Sequence, residues 1–253
     1  MSAPLLEIEK LNKAFGRVIA ASNIDLIFEP GILTSIIGPN GAGKSTLINM
    51  LSGSLPVDSG RILFQGADIT HLPIHQRVKM GLCRSFQVVN IFTDLTVFDN
   101  VQIPVLAVQK RAKLLFRPVV REVDVHREVS DVLERIGLGA EARTVASALS
   151  HGDKRLLEVG IALAVRPRLL FLDEPTAGMN PVERVNILKN IRRLSEEGKT
   201  TFVIVEHDMD IVFSLSDRVV VLHHGVIIGD GTTDEIQNSA RVREVYLGEE
   251  VIT

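Results

Sequence analysis

The run GPNGAGKST, residues 38–46, follows the short apolar run LTSII and precedes a helical pattern. Gly38, Gly43, Lys44 and Ser45 fit the spacing G-x-x-x-x-G-K-[ST]. That spacing suits phosphate chemistry. Backbone N–H groups converge on phosphate oxygens only where the chain wraps without Cβ atoms in the way, and the positive end of the following helix attracts an anion. Lys44 would bring a full charge to the β- and γ-phosphates, and the Ser45 hydroxyl could coordinate Mg²⁺, so the expected ligand is a nucleoside triphosphate. A second apolar run, RLLFLDEP, ends in two acids where a parallel strand would emerge at the ligand-bearing edge of a sheet. Adjacent acids can divide two tasks: Asp173 is expected in the Mg²⁺ shell, and Glu174 is expected to orient or deprotonate the attacking water.

Other residues carry weaker signals. Gln87 in SFQVVNIF and His207 in VIVEHDMD stand at or just beyond expected strand ends, within reach of a γ-phosphate or a water, although such residues are more often solvated or structural. Phe15 in KAFG reads by residue type as core. The stretch LSHGDKR, residues 149–155, brings Ser150, His151 and Asp153 within four positions, the residue types of a hydrolytic triad. Neighbours one residue apart do not face each other on a helix, and a serine nucleophile sits on a strained elbow with its base from elsewhere in the chain. Two ligands without a third make no metal cage either. Ser150 reads instead as the N-cap of an amphipathic helix, GDKRLLEVGIALAV.

The elements that must hold these residues are legible as periodicity. LLEIEKL and SNIDLIF alternate as half-buried strands, LTSIIG is a short apolar strand, a helix is expected from Lys44 to Leu51, and GRILFQG is a further strand. From Thr93 to Ala164 strand signals nearly vanish, and Val125, Val129, Val132, Leu133 and Ile136 share one helical face. RLLFLDEP and TTFVIVEHD, separated by the helical PVERVNILKNIRRL, have the near-continuous apolar character of parallel strands buried on both faces. DRVVVLHHGVIIGDG predicts a hairpin turning at His224 and Gly225, with two short helices after it.

At 253 residues, 45% hydrophobic and 23% charged, the chain has the composition of a globular protein able to bury a large core. A net charge of −3 supplies no overall basic field, so no nucleic-acid partner is expected. One cysteine, Cys83, makes no internal disulfide, no Cys/His spacing suits zinc, and MSAPLLEIEK has no apolar signal-peptide core. No window approaches the roughly 18 uninterrupted apolar residues of a membrane span. The expected location is the cytoplasm, with a membrane-bound partner.

Taken in order, KAFG, GPNGAGKST, SFQ, LSHGD, LLFLDEP and EHD resemble the nucleotide-binding subunit of ABC transporters over nearly the whole chain. The resemblance implies an α/β fold: a P-loop NTPase (RecA-like) core, residues 1–92 and 165–253, with N-terminal antiparallel β strands and an inserted α-helical subdomain, residues 93–164. It implies ATP and Mg²⁺ as ligands. Phe15 would stack on adenine. Gly38, Pro39, Asn40, Gly41, Ala42, Gly43, Lys44, Ser45 and Thr46 would hold the phosphates, and Ser45, Gln87 and Asp173 would surround Mg²⁺, Asp173 through water. Gln87 would sense the γ-phosphate, and Glu174, His207 and Lys44 would carry out hydrolysis. LSHGD corresponds to a family signature, most often Leu-Ser-Gly-Gly-Gln, whose residues, here Ser150, His151, Gly152 and Asp153, contact ATP held by the other subunit; His151 and Asp153 depart from the commonest form. TAGMN resembles the loop that crosses the dimer interface, with Asn180 where many relatives have Asp.

The long segment 99–129, the ending VREVYLGEE, LSHGDKRLLEVGIAL and EPTAGMNP narrow the resemblance to the larger ATPase subunit of branched-chain amino acid importers and their urea or amide relatives. Implied partners are a second ATPase subunit, identical or paralogous, transmembrane permease subunits, and indirectly an extracytoplasmic solute-binding protein, with the chain peripheral on the cytoplasmic face of the membrane. Another system such as lipopolysaccharide export is the alternative; a DNA-repair or translation ATPase would carry a long coiled coil or a second cassette. Lys110, Arg111, Lys113, Arg117 and Arg121 make a basic insert that reads either as a solvated face or as a contact for anionic lipid or a permease loop.

Overall fold

A computed structural model describes residues 3–85, 91–109 and 123–250, with side chains to Val245. Gln87 and the basic residues of the insert lie outside the described residues. The two alternating segments form β1 (Leu6–Phe15) and β2 (Val18–Phe28), paired antiparallel with Leu6 opposite Phe28 and Phe15 opposite Val18. Next come β3 (Thr34–Ile37), α1 (Lys44–Ser52), β4 (Ser59–Phe64) and the two-residue β5 (Ala67–Asp68). The first sheet is antiparallel, in the order β2-β1-β4-β5.

The chain continues through α2 (Ile74–Met80), β6 (Leu82–Arg84), α3 (Val97–Val108), α4 (Val123–Ile136) and α5 (His151–Ala164). It then alternates through β7 (Leu169–Asp173), α6 (Pro181–Glu196), β8 (Thr201–Val205) and α7 (Met209–Leu215). The expected hairpin is β9 (Arg218–His223) and β10 (Val226–Gly231), followed by α8 (Thr233–Asn238) and α9 (Ala240–Glu250). A second sheet has the order β10-β9-β3-β8-β7-β6, parallel except at the β9–β10 hairpin.

Every residue of β3, β7 and β8 is buried, which is why these segments read as unbroken apolar runs. Side chains still alternate between the two faces. Leu169 and Phe171 join α1 and the antiparallel sheet through Leu47, Leu51 and Phe64, so α1 lies between the sheets. Leu170 and Leu172 join the helices on the other face through Val101, Leu157 and Ile187. All five apolar positions expected on one face of α4 are buried there. The sequence raised no expectation of α2 or α7, each of seven residues, because two turns are too short to establish a hydrophobic period.

Candidate active site

The glycine loop joins the central strand β3 to α1 and is shaped by close packing beneath it. Gly38 has φ +155, and a Cβ there would lie 2.1 Å from the Leu222 carbonyl oxygen; at Gly43, with φ +103, it would lie 2.3 Å from that of Ala20. Any side chain at either position would displace backbone, so only glycine fits. The β9–β10 turn braces the loop from below, with the Gly225 N–H donating to the Ala42 oxygen at 2.9 Å. Sequence reasoning missed that brace, which shows only in three dimensions.

The N-terminus of α1, like that of the two-turn α2, lacks a side-chain cap and a first-turn acid, unlike five longer or later helices. Thr96, Ser150, Asn180, Asp208 and Thr232 cap α3, α5, α6, α7 and α8 with side-chain oxygens, whereas the cap of α1 is Gly43 with no side-chain bond, and its first turn holds no acid. The first N–H groups of a helix need an acceptor, and the helix dipole favours an anionic one. Lys44 folds back over the loop, its Nζ donating to the carbonyl oxygens of Gly38 at 2.5 Å and Pro39 at 3.0 Å. Asn40, Gly41 and Ser45 are exposed, and Pro39 and Thr46 are half-buried, while Ala42 is buried as part of the loop's underside. The loop as a whole suits a polyphosphate.

The acids stand at the ends of the neighbouring parallel strands. Asp173 is buried, and Arg84 at the end of β6 reaches it, Nη2 to Oδ2 at 2.6 Å, while also donating to Asn49 of α1. Glu174 leaves the strand with φ +44, unusual for a residue with a side chain, and its N–H is held by the Val205 oxygen at 2.9 Å. Its carboxylate, 37% exposed, lies 3.9 Å from Nδ1 of His207. Glu206, at the end of β8, is buried beside them, accepts from the Thr176 hydroxyl at 2.8 Å, and lies 3.9 Å from the same His207 nitrogen. Burial holds its carboxyl above the usual range. The structure thus brings together Glu174 and His207, and adds Arg84 and Glu206, which the sequence reading did not single out. Glu206 had a readable signal, since it ends an apolar strand as Asp173 does.

Phe15 departs from the core placement its residue type suggested. It stands at the β1–β2 turn, 50% exposed, with Lys13 Nζ 5.5 Å from its ring centroid. Ser150 caps α5, its Oγ accepting from the Asp153 N–H at 3.1 Å and donating to the Asp153 carboxylate at 2.8 Å. His151 is exposed and points its Nε2 toward Gly178, 3.8 Å from where a Cβ on that residue would sit, so serine, histidine and acid do not form a relay. Gly152 is buried against α6, its N–H 3.4 Å from Glu183 Oε1, and Glu183 in turn completes a capping box with Asn180.

Residues 21–177 match the family model described as ABC transporter. The chain belongs to the ABC transporter family. A second model, described as branched-chain amino acid ATP-binding cassette transporter, matches residues 226–252 of this ABC ATPase. It is similar to the high-affinity branched-chain amino acid transport ATP-binding protein LivG of Escherichia coli strain K12, with 37% identity covering 98% of this chain and 100% of that one. A comparable likeness, 36% with the same coverage, holds to the corresponding protein BraF of Pseudomonas aeruginosa. Among solved structures, the ADP conformation of an ATP-binding cassette of an ABC transporter superposes with a TM-score of 0.85 at 32% identity, covering 98% of this chain and 100% of that one. As an ABC ATPase the protein binds and hydrolyses ATP to drive transport. Among the described residues, no helix is long and apolar enough to cross a membrane.

Proposed function

We propose that this ABC ATPase energises the import of branched-chain amino acids. The observation that carries its chemistry is the uncapped, acid-free N-terminus of α1 beneath a glycine loop, in the same parallel sheet whose strand ends carry Glu174 and His207. The C-terminal match and full-length likeness to branched-chain amino acid transport ATP-binding proteins support the solute class.

In this reading Phe15 offers its exposed ring to adenine, residues 38–46 hold the phosphates, and Lys44 transfers its charge from the loop carbonyls to the β- and γ-phosphates. Among the described residues no group of three acids, histidines or cysteines could hold a metal alone. Mg²⁺ keeps several waters and binds through one or two protein oxygens plus substrate phosphates, and the exposed Ser45 hydroxyl and the Asp173 carboxylate at the end of β7 are oxygen donors of that kind. Ser45, Gln87 and Asp173 would hold the ion, Asp173 through water, and the ion would neutralise charge developing on the phosphates. Glu174 takes a proton from the attacking water, and His207, beside it, positions the water and γ-phosphate. Ser150 and Gly152, with His151 and Asp153 alongside, close over ATP bound by a second ATPase subunit. That closure drives permease subunits supplied by an extracytoplasmic solute-binding protein, which places the chain on the cytoplasmic face of the membrane. Residues 93–164 form the helical subdomain that carries this signature.

Glu174→Gln tests the base. The variant should retain ATP binding, lose roughly two to four orders of magnitude in turnover, and accumulate as an ATP-bound dimer. Turnover near the wild-type rate would overturn the assignment. For the solute, the assembled membrane complex should be stimulated by leucine, isoleucine or valine with binding protein, and stimulation only by an unrelated solute would overturn that part.

A further inference from the structure

Glu174 owes its position to backbone that turns out of the sheet, and that backbone is held from the signature helix. At the end of β7 the ladder to β8 stops with Asp173 opposite Val205, and the next residue takes the left-handed conformation. The carbonyls of this turn therefore leave the sheet's hydrogen-bond pattern. Arg155, one turn into α5, meets them: Nη2 donates to Asp173 O at 2.7 Å and Glu174 O at 3.1 Å, and Nε reaches Pro175 O at 3.4 Å. Its Nη1 is anchored to Glu158, three residues on, at 2.6 Å. Both side chains are about nine-tenths buried.

We propose that Arg155 is a positioning residue for Glu174, locking the turn that carries the base to the helix that begins with Ser150. The fork of a guanidinium is suited to this, because it spans consecutive carbonyls in one plane, whereas an ammonium is a point donor. The consequence is a link within one chain: α5 contributes its N-terminus to ATP on the opposite subunit, and through Arg155 the same helix sets the geometry of the base acting on its own ATP. Closure of the signature would then register on Glu174 of the same chain.

This inference rests on the reading of Glu174 as the base, and the experiment separates the two. Turnover, KM and the affinity for a fluorescent ATP analogue are measured on the full chain for wild type, Arg155→Lys, Arg155→Gln, Glu174→Gln and the Arg155→Gln/Glu174→Gln double variant, with melting temperatures alongside. Misplacing a catalytic group by about 1 Å costs on the order of 10²-fold, so kcat of Arg155→Gln should fall by about that factor while nucleotide affinity stays within about threefold. Arg155→Lys should recover part of the rate. In the Glu174→Gln background, loss of Arg155 should slow the residual single-turnover rate no further, because the group it positions is already gone. Equal loss in both backgrounds, or affinity falling in step with kcat, would overturn the role. If Glu174→Gln alone turned over at near wild-type rate, the base reading would fail first and this inference with it.

Discussion

Arg77→Met should destabilise the protein strongly while leaving its nucleotide chemistry intact. Arg77 in α2 is 2% exposed, and the partners of its guanidinium are main-chain oxygens: Met50 and Leu51 from Nη1 at 2.8 and 2.7 Å, Thr70 from Nη2 at 2.9 Å, and Leu72 from Nε at 2.8 Å. Met50 and Leu51 lie in the last turn of α1, where the helix dipole is negative, so a cation completes the end opposite the phosphate loop. Burial lowers its pKa only to about 10, which leaves it charged at neutral pH. Hydrogen bonds from a charged donor contribute roughly 1.5–3 kcal/mol each, and the cost of burying the cation offsets much of that sum. Removing the donor takes a partner from four carbonyls, of which that of Met50 keeps the Gly53 N–H at 3.2 Å; at about 1–3 kcal/mol for each buried acceptor left unsatisfied, offset by relief of the buried cation, the net loss is roughly 3–5 kcal/mol. For a chain of this length that corresponds to a fall in Tm of roughly 6–20 °C. Urea unfolding and calorimetry of Arg77→Met, with Arg77→Lys expected between it and wild type, measure the effect. A loss below about 1 kcal/mol would refute the reasoning, as would a large drop in ATP affinity of protein shown to be folded.

Three further outcomes follow from the geometry. Gly38→Ala should abolish nucleotide binding, since the added Cβ would meet the Leu222 carbonyl oxygen at 2.1 Å; isothermal titration showing wild-type affinity would contradict that packing. Glu206 titrates above its ordinary value of 4.5 because burial disfavours the carboxylate, so its contribution to stability is complete below the unfolded pKa and is lost as pH rises through the folded one. The unfolding free energy of wild type minus that of Glu206→Gln should therefore shrink from acid to neutral pH, and a pH-independent difference would count against it. Ser150→Ala removes a helix cap and should cost about 1 kcal/mol of stability, yet lower ATPase turnover far more than that loss explains; unchanged turnover would remove Ser150 from the proposed composite site.

Much of the architecture was legible because burial on two faces and burial on one leave different patterns. β7 and β8 read as unbroken apolar runs and proved buried throughout, whereas β1 and β2 alternate because each packs only one face on the core. Ser150 read correctly as the α5 cap, since a cap depends on three or four consecutive residues. Phe15 defeated its residue type: the apolar ring sits at a hairpin turn, and exposure there is set by where the turn falls relative to the core. Arg155 carried no signal, because its partners at Asp173, Glu174 and Pro175 lie about twenty residues away and are backbone atoms, which no residue type announces.

By itself the sequence determined the local chemistry: a glycine loop where Cβ atoms cannot fit, two acids ending an apolar strand, and the order of elements that puts both at one edge of a parallel sheet. Those features depend on neighbours along the chain, so spacing encodes them. Only the tertiary structure decided that Gly225 and Leu222 brace the loop, that Arg84 reaches Asp173, that Glu206 sits beneath His207, and that the signature helix grips the turn bearing Glu174. Each of these joins segments brought together when helices and sheets bury their apolar faces, and periodicity identifies which face is buried without naming the polar partners that meet at its rim.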